Sequence, residues 1–154
     1  MKNRFFLSFF LAVIINSNLM ADNVMIQAKS ITLDKNNKIT IFKNKVSVVT
    51  SDGIKITSEF AKYDKAIGLI ELKENIKVTD KKGNKVETNS ATYNENKKVF
   101  ISNGYTKAIT AENYIIEGDG IIFDNAEKFI KSDKNTVITD LENNKIYLEN
   151  FEYL

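Results

Sequence analysis

The chain of 154 residues contains no cysteine, no histidine, no proline and no tryptophan. Without histidine or cysteine it cannot build a Ser-His-Asp or Cys-His nucleophile, and it lacks the usual zinc and iron ligands. Without cysteine, an exported domain of this size is held by packing and hydrogen bonds, with no disulfides. The six glycines are scattered singly or at turns, so no phosphate-cradling loop is present. Carboxylate pairs such as Glu117 with Asp119, or Glu71 with Glu74, alternate with polar surface and read as solvated. A calcium loop is equally poor, because Asp34-Lys35-Asn36-Asn37-Lys38 puts lysines where oxygen ligands are needed. The chain is expected to have no catalytic residues, no metal site and no cofactor.

The first residues have the look of an export signal. Lys2 and Arg4 precede the apolar run Phe5–Ile15, and Leu19-Met20-Ala21 offers a small-residue cleavage site before Asp22. An uncleaved anchor needs roughly 20 apolar residues, and polar residues interrupt this run earlier. The expected organisation is a signal peptide at 1–21 and a single domain at 22–154. Removing the leader takes away Lys2 and Arg4 and no acids, leaving twenty basic and twenty acidic residues. A neutral domain without arginine lacks the electrostatic footprint of a nucleic-acid binder.

What the domain does have is a nine-residue phrase stated five times. The copies are Ile26–Asp34, Ile56–Asp64, Val86–Asn94, Ile116–Asp124 and Ile146–Leu154, a period of thirty without slippage. The eighth position is Leu33, Tyr63, Tyr93, Phe123 and Tyr153, and the ninth is Asp34, Asp64, Asn94, Asp124 and Leu154. Further columns follow: Ile39, Leu69, Val99 and Phe129, then Val46, Ile76, Thr106 and Thr136, then Val48, Val78, Ala108 and Ile138. Near the end of each unit stand Gly53, Gly83, Asn113 and Asn143.

Period-2 alternation through Ile31-Leu33, Val46-Val48 and Ile76-Val78 predicts strands, and no helical stripe is sustained. The Gly/Asn column predicts positive φ, and the Asp/Asn column predicts turns entered through side-chain hydrogen bonds. The inward candidates of the phrase are its first, third, sixth and eighth residues, as in Val86, Thr88, Ala91 and Tyr93. The odd step from third to sixth requires a bulge or bend in every copy. A second corner is expected across Lys43-Asn44-Lys45. Small residues at the third position (Ala28, Ser58, Thr88, Gly118) against the aromatic column predict a wedge, narrow at one edge and open at the other.

The unit I-x-[AST]-x-x-[AI]-x-Y-[DN], with its turn and following strand, resembles the OstA-like repeat of the lipopolysaccharide transport proteins LptA and LptC and of the N-terminal part of LptD. Ile56–Asp64 with Glu74–Val78, and Val86–Asn94 with Asn103-Gly104-Tyr105, carry it most clearly, and it covers residues 26 to 154. The resemblance implies an all-β fold: a twisted antiparallel β-jellyroll built from thirty-residue repeats and open along one side. It also implies a periplasmic protein whose apolar interior holds the acyl chains of lipopolysaccharide. Such domains join other Lpt proteins end to end through edge strands, and self-associate head to tail.

Candidate lipid-lining residues are Ile31, Leu33, Val48, Tyr63, Leu69, Ile76, Val78, Tyr93, Val99, Ile121, Phe123, Phe129 and Ile138. The same pattern fits a closed core. Edge-strand candidates are Ile26, Ala28 and Ile31 at one end, and Ile146, Leu148, Phe151 and Tyr153 at the other. The fifth copy reads as an unfinished repeat: an assembly edge, or the point where a longer LptD-like chain continues. Two other readings stay open, a structural or adhesive β-repeat protein without a lipid ligand and a lipid carrier that acts alone.

Overall fold

A computed structural model of the chain describes residues 19–21, 24–34, 36 and 38–153. The charged and apolar leader at 1–18, Asp22 and Leu154 lie outside the described residues. Within them there are fifteen strands and no helix. The first seven are β1 (Leu19–Ala21), β2 (Val24–Gln27), β3 (Ser30–Asp34), β4 (Ile39–Thr50), β5 (Lys55–Asp64), β6 (Leu69–Thr79) and β7 (Lys85–Asn94). Then come β8 (Val99–Ser102), β9 (Tyr105–Ile109), β10 (Ile115–Asp119), β11 (Ile122–Asp124), β12 (Phe129–Ser132), β13 (Thr136–Thr139), β14 (Lys145–Leu148) and β15 (Phe151–Tyr153).

All pairings are antiparallel and the sheet does not close on itself. It is folded into two facing leaves. One leaf runs β1, β2, the far half of β4, the near half of β5, the far half of β6, the near half of β7, then β9, β10, β13 and β14. The other runs β3, the remaining halves of β4 to β7, then β8, β11, β12 and β15. Strands β4 to β7 therefore belong to both leaves. In the later repeats the same path is broken at the corner into two short strands. This is the open antiparallel jellyroll that the repeat predicts.

The corners fall where the odd spacing put them. Register shifts occur between Lys43 and Val46, between Thr57 and Phe60, and between Lys73 and Ile76. In β5 the buried residues are Ile56 and Ser58 before the bend, then Ala61 and Tyr63 after it. One extra residue has turned the alternation over, so both halves keep their apolar side inward. On the neighbouring strands the bend uses left-handed pairs, Asn44 (φ 63°) with Lys45 (φ 54°) and Glu74 (φ 64°) with Asn75 (φ 52°). The Lys45 N–H donates to the Glu59 carboxylate at 3.2 Å, and thirty residues on the Asn75 N–H donates to Asn89 Oδ1 at 3.3 Å. The fourth residue of the phrase thus serves the corner.

The hairpins also repeat. Asp34, Asp64, Asn94 and Asp124 each accept a backbone N–H two residues on, at 3.1, 2.9, 3.1 and 3.0 Å. Gly53, Gly83, Asn113 and Asn143 all have positive φ. A second left-handed column, Lys38, Gly68, Lys98 and Lys128, ends the hairpins of the other leaf. Lysine is an unexpected occupant there, because a left-handed L-residue costs roughly 1–2 kcal/mol.

Inside, Phe42, Ile56, Ile70, Leu72, Ile76 and Val48 are fully buried in one apolar cluster. Small residues sit at the corner, Ser58 and Ala61 in β5 and Thr88 and Ala91 in β7, and large ones toward the hairpins. The section is the expected wedge, with its spine at the corners and its lips at the hairpin tips. At Gly118 the leaf edge approaches so closely that a Cβ would meet the Asn135 carbonyl oxygen and Thr136 Oγ1 at 2.9 Å.

Two glycine substitutions separate strain from crowding. Gly68→Ala forces a methyl into a φ of 64° and within 2.5 Å of the Asn96 amide, whereas Gly83→Ala at φ 98° meets nothing. Both are expected to destabilise by at least about 1 kcal/mol, with Gly68→Ala the larger. Urea midpoints at constant m-value measure the difference.

Candidate functional site

Two rows of inward side chains run across the leaves, and both open along the chain. In one leaf the row passes Ile26, Val48, Ile56, Val78, Val86, Ala108, Ile116, Ile138 and Ile146. In the other it passes Tyr63, Ile70, Tyr93, Phe100, Phe123, Ile130 and Tyr153. Up to Phe100 and Ile116 the members are buried. Beyond them Phe123, Ile130 and Ile138 are half-buried, and Ile146 and Tyr153 are 51 % and 49 % exposed.

Between the lips, where burial starts to fail, lies a cavity of about 360 Å³. Its apolar wall is Ile54, Val78, Val86, Phe100, Phe123, Phe129, Ile130 and Tyr153. Phe100 and Phe123 meet edge to face, with ring centroids 6.0 Å apart. Around the mouth stand Lys82, Lys98 and Lys128, with Asp80, Glu112 and Asp124. The volume is at the small end of the range for ligand pockets, roughly 300–1,000 Å³.

Hydrogen bonds close the earlier half. The Tyr63 hydroxyl donates to Glu95 Oε1 at 2.6 Å, while Glu95 Oε2 is buried without a partner. The Asp52 carboxylate accepts from the Thr50 hydroxyl on its own hairpin and from the Asn125 amide on the opposite lip. Burial raises the Asp52 pKa, but the hydrogen bonds from Thr50 and Asn125 and the charge of Lys98 outweigh it and hold the group below its ordinary value. Burial drives both Tyr63 and Tyr93 well above the ordinary phenol range, with the neighbouring Glu95 and Asp52 carboxylates adding to it. Both phenols stay neutral, so the aromatic row carries no charge.

Of the candidate lining residues, Val78, Phe123 and Phe129 line the cavity. Val48, Tyr63, Ile76, Tyr93 and Ile121 are packed in the core, with Ile31 and Ile138 against it. Leu33 is 55 % exposed on β3, the edge strand of its leaf. Leu69 and Val99 are half-buried on the outer face, because their neighbours Ile70 and Phe100 take the inner one. Ile54, Val86, Phe100 and Ile130 escaped the sequence reading. Phe100 and Ile130 each stand one residue after the column that was chosen, and parity across the corner identifies them. Among the described residues no group of three or more acidic side chains is placed to hold a metal.

The fold and the groove define the class: an open β-jellyroll with an apolar interior and no assembled catalytic group. A family profile described as "Lipopolysaccharide-assembly, LptC-related" matches residues 11–144. The chain belongs to that family, and its role is in periplasmic lipopolysaccharide transport, which is not enzymatic. Among solved structures it is similar to LptH of Pseudomonas aeruginosa, the LptA-homologous periplasmic component of the lipopolysaccharide transport device. The TM-score is 0.64 at 16 % identity, covering 81 % of this chain and 93 % of that one. That likeness concerns the fold. No curated protein matches the sequence.

Two substitutions test the closed half. Tyr63→Phe leaves the Glu95 carboxylate without a donor at either oxygen and is expected to cost about 2 kcal/mol. Glu95→Gln, which keeps an acceptor for the phenol, should cost less in the same denaturation assay. Asp52 has a folded pKa below its unfolded value near 3.9. It therefore adds stability above that pH and loses it as the pH falls through the folded value. Asp52→Asn should flatten the loss of stability below about pH 4, measured by thermal melts from pH 2 to 7.

Proposed function

We propose that this chain holds acyl chains of lipopolysaccharide between its leaves and hands them on at its C-terminal edge. The observation that carries the reading is the progressive opening of both inner rows, from a sealed core to an apolar cavity to an exposed edge. Burial of a methylene contributes about 0.8 kcal/mol, so a dozen would give roughly 10 kcal/mol before ordering costs. Such contacts hold a chain firmly and need no polar recognition. A closed structural repeat would bury both rows to the end.

The edges support a bridge over a lone carrier. The fifth copy folds as β14 and β15, each at the free edge of its leaf. Ile146, Tyr147 and Tyr153 are exposed there, at 51 %, 74 % and 49 %. At the opposite edge lie β1 in one leaf and β3 in the other. An unprotected edge pairs with another strand, so another Lpt protein or a second copy would extend both leaves and join the grooves. Export through the leader at 1–21 completes the reading.

Photo-crosslinkers at Val78 and Phe123, with outward controls at Leu69 and Val99, test the groove in living cells. Lipopolysaccharide adducts are expected at the first pair and not the second; equal labelling, or none in the cavity, would sink it. For the bridge, Ile146→Lys with Tyr153→Lys should weaken edge pairing at least tenfold by analytical ultracentrifugation with the partner. Unchanged association would favour a carrier that works alone.

A further inference from the structure

The mouth of the cavity carries cations on both lips. Lys98 and Lys128 hold the same place in successive repeats of one leaf, at φ 58° and 63°. Lys82 reaches the mouth from the hairpin of the other leaf. Glycine fills this position in the second repeat at no steric cost, so lysine is kept here against a backbone penalty. The carboxylates of the mouth are differently engaged. Asp80 accepts the N–H groups of Lys82 and Asn84, both at 2.9 Å, and Asp124 accepts those of Ala126 and Glu127 at 3.0 and 2.8 Å. The two ion pairs among the described residues, Lys62 with Glu71 and Lys77 with Glu87, lie away from the mouth. Lys98 also faces Asp52 across the lips.

We infer that Lys82, Lys98 and Lys128 form a seat for the phosphate headgroup of an amphiphile whose chain occupies the apolar cavity. This rests on the groove reading above and adds to it the chemistry of the head. Turn hydrogen bonds fix the acidic oxygens toward their own backbone, while lysine ammoniums ride on flexible four-carbon stems and suit a phosphate as point charges. The floor supplies affinity and the rim selects an anion over a neutral head.

The test compares dodecyl phosphate with dodecyl maltoside, the same chain with an uncharged head, below their micellar concentrations by isothermal calorimetry. The variant Lys98→Gly/Lys128→Gly removes both charges and suits the left-handed backbone, so it keeps the turns. Dodecyl phosphate binding should fall about five- to tenfold in the variant and weaken with added salt, while dodecyl maltoside binding stays unchanged. Equal losses for the two amphiphiles, or none, would overturn the rim and leave the groove standing. Binding of neither amphiphile to the unmodified protein would overturn both. Inorganic phosphate should not displace dodecyl phosphate at equal concentration; if it does, the site is one for free anions and the headgroup assignment fails.

Discussion

The structure depends on one geometric constraint: a strand that turns a corner must keep its apolar side inward on both halves. Side chains alternate with a period of two, so a bend without an extra residue would present the wrong face to the core. The phrase answers with an odd step at its centre. In β5, Ile56 and Ser58 point inward before the corner and Ala61 and Tyr63 after it. On the return strand the step is even, Phe42 to Val46, because two left-handed residues absorb the bend without a change of face. One corner is made by parity and the other by backbone conformation. Together they fold a single antiparallel sheet into two leaves.

The same unit explains why one end is sealed and the other open. In the second and third copies the strands run through the corner without a break, and Tyr63 and Tyr93 fill the wedge from the aromatic side. In the fourth copy Gly118 and Gly120 replace larger residues, the strand divides into β10 and β11, and Phe123 is only half-buried. Shorter strands and fewer buried side chains mean a lower local opening free energy. The cavity therefore lies where the repeat is weakest, beside the edge proposed to receive a partner. The sealed half carries hydrogen bonds that the open half lacks, Tyr63 to Glu95 within one leaf and Asp52 to Asn125 between lips.

Much of this was legible in residues alone. The period of thirty, the central corner, the left-handed Gly53, Gly83, Asn113 and Asn143, and the turns entered at Asp64 or Asn94 follow from spacing and side-chain chemistry. The inward parity of the second strand was not. Leu69-Ile70, Val99-Phe100 and Phe129-Ile130 are apolar at both positions, so alternation gives no sign, and the outward member matched the column search better. The left-handed lysines at 38, 98 and 128 were equally hidden, since lysine has no preference for that backbone and tertiary pairing imposes it. Nor does any single column reveal where the leaves part, because that gap is set between rows far apart in sequence.

Transport asks two things of a groove that pull against each other: a lipid must be held, and it must move. Apolar burial meets both, because it scales with area and has no preferred direction. A chain shifted by one methylene along a smooth apolar wall exchanges one set of contacts for an equal one. Specific polar contacts inside the groove would instead create a well at one register and halt it. The neutral phenols of Tyr63 and Tyr93 and the apolar wall formed by Phe100, Phe123 and Ile130 fit that requirement, with charge kept to the mouth. A path built this way imposes no direction, so net flow through it must be driven from outside this domain. What the domain contributes is asymmetry: a closed end that stops a chain and an open edge that releases it.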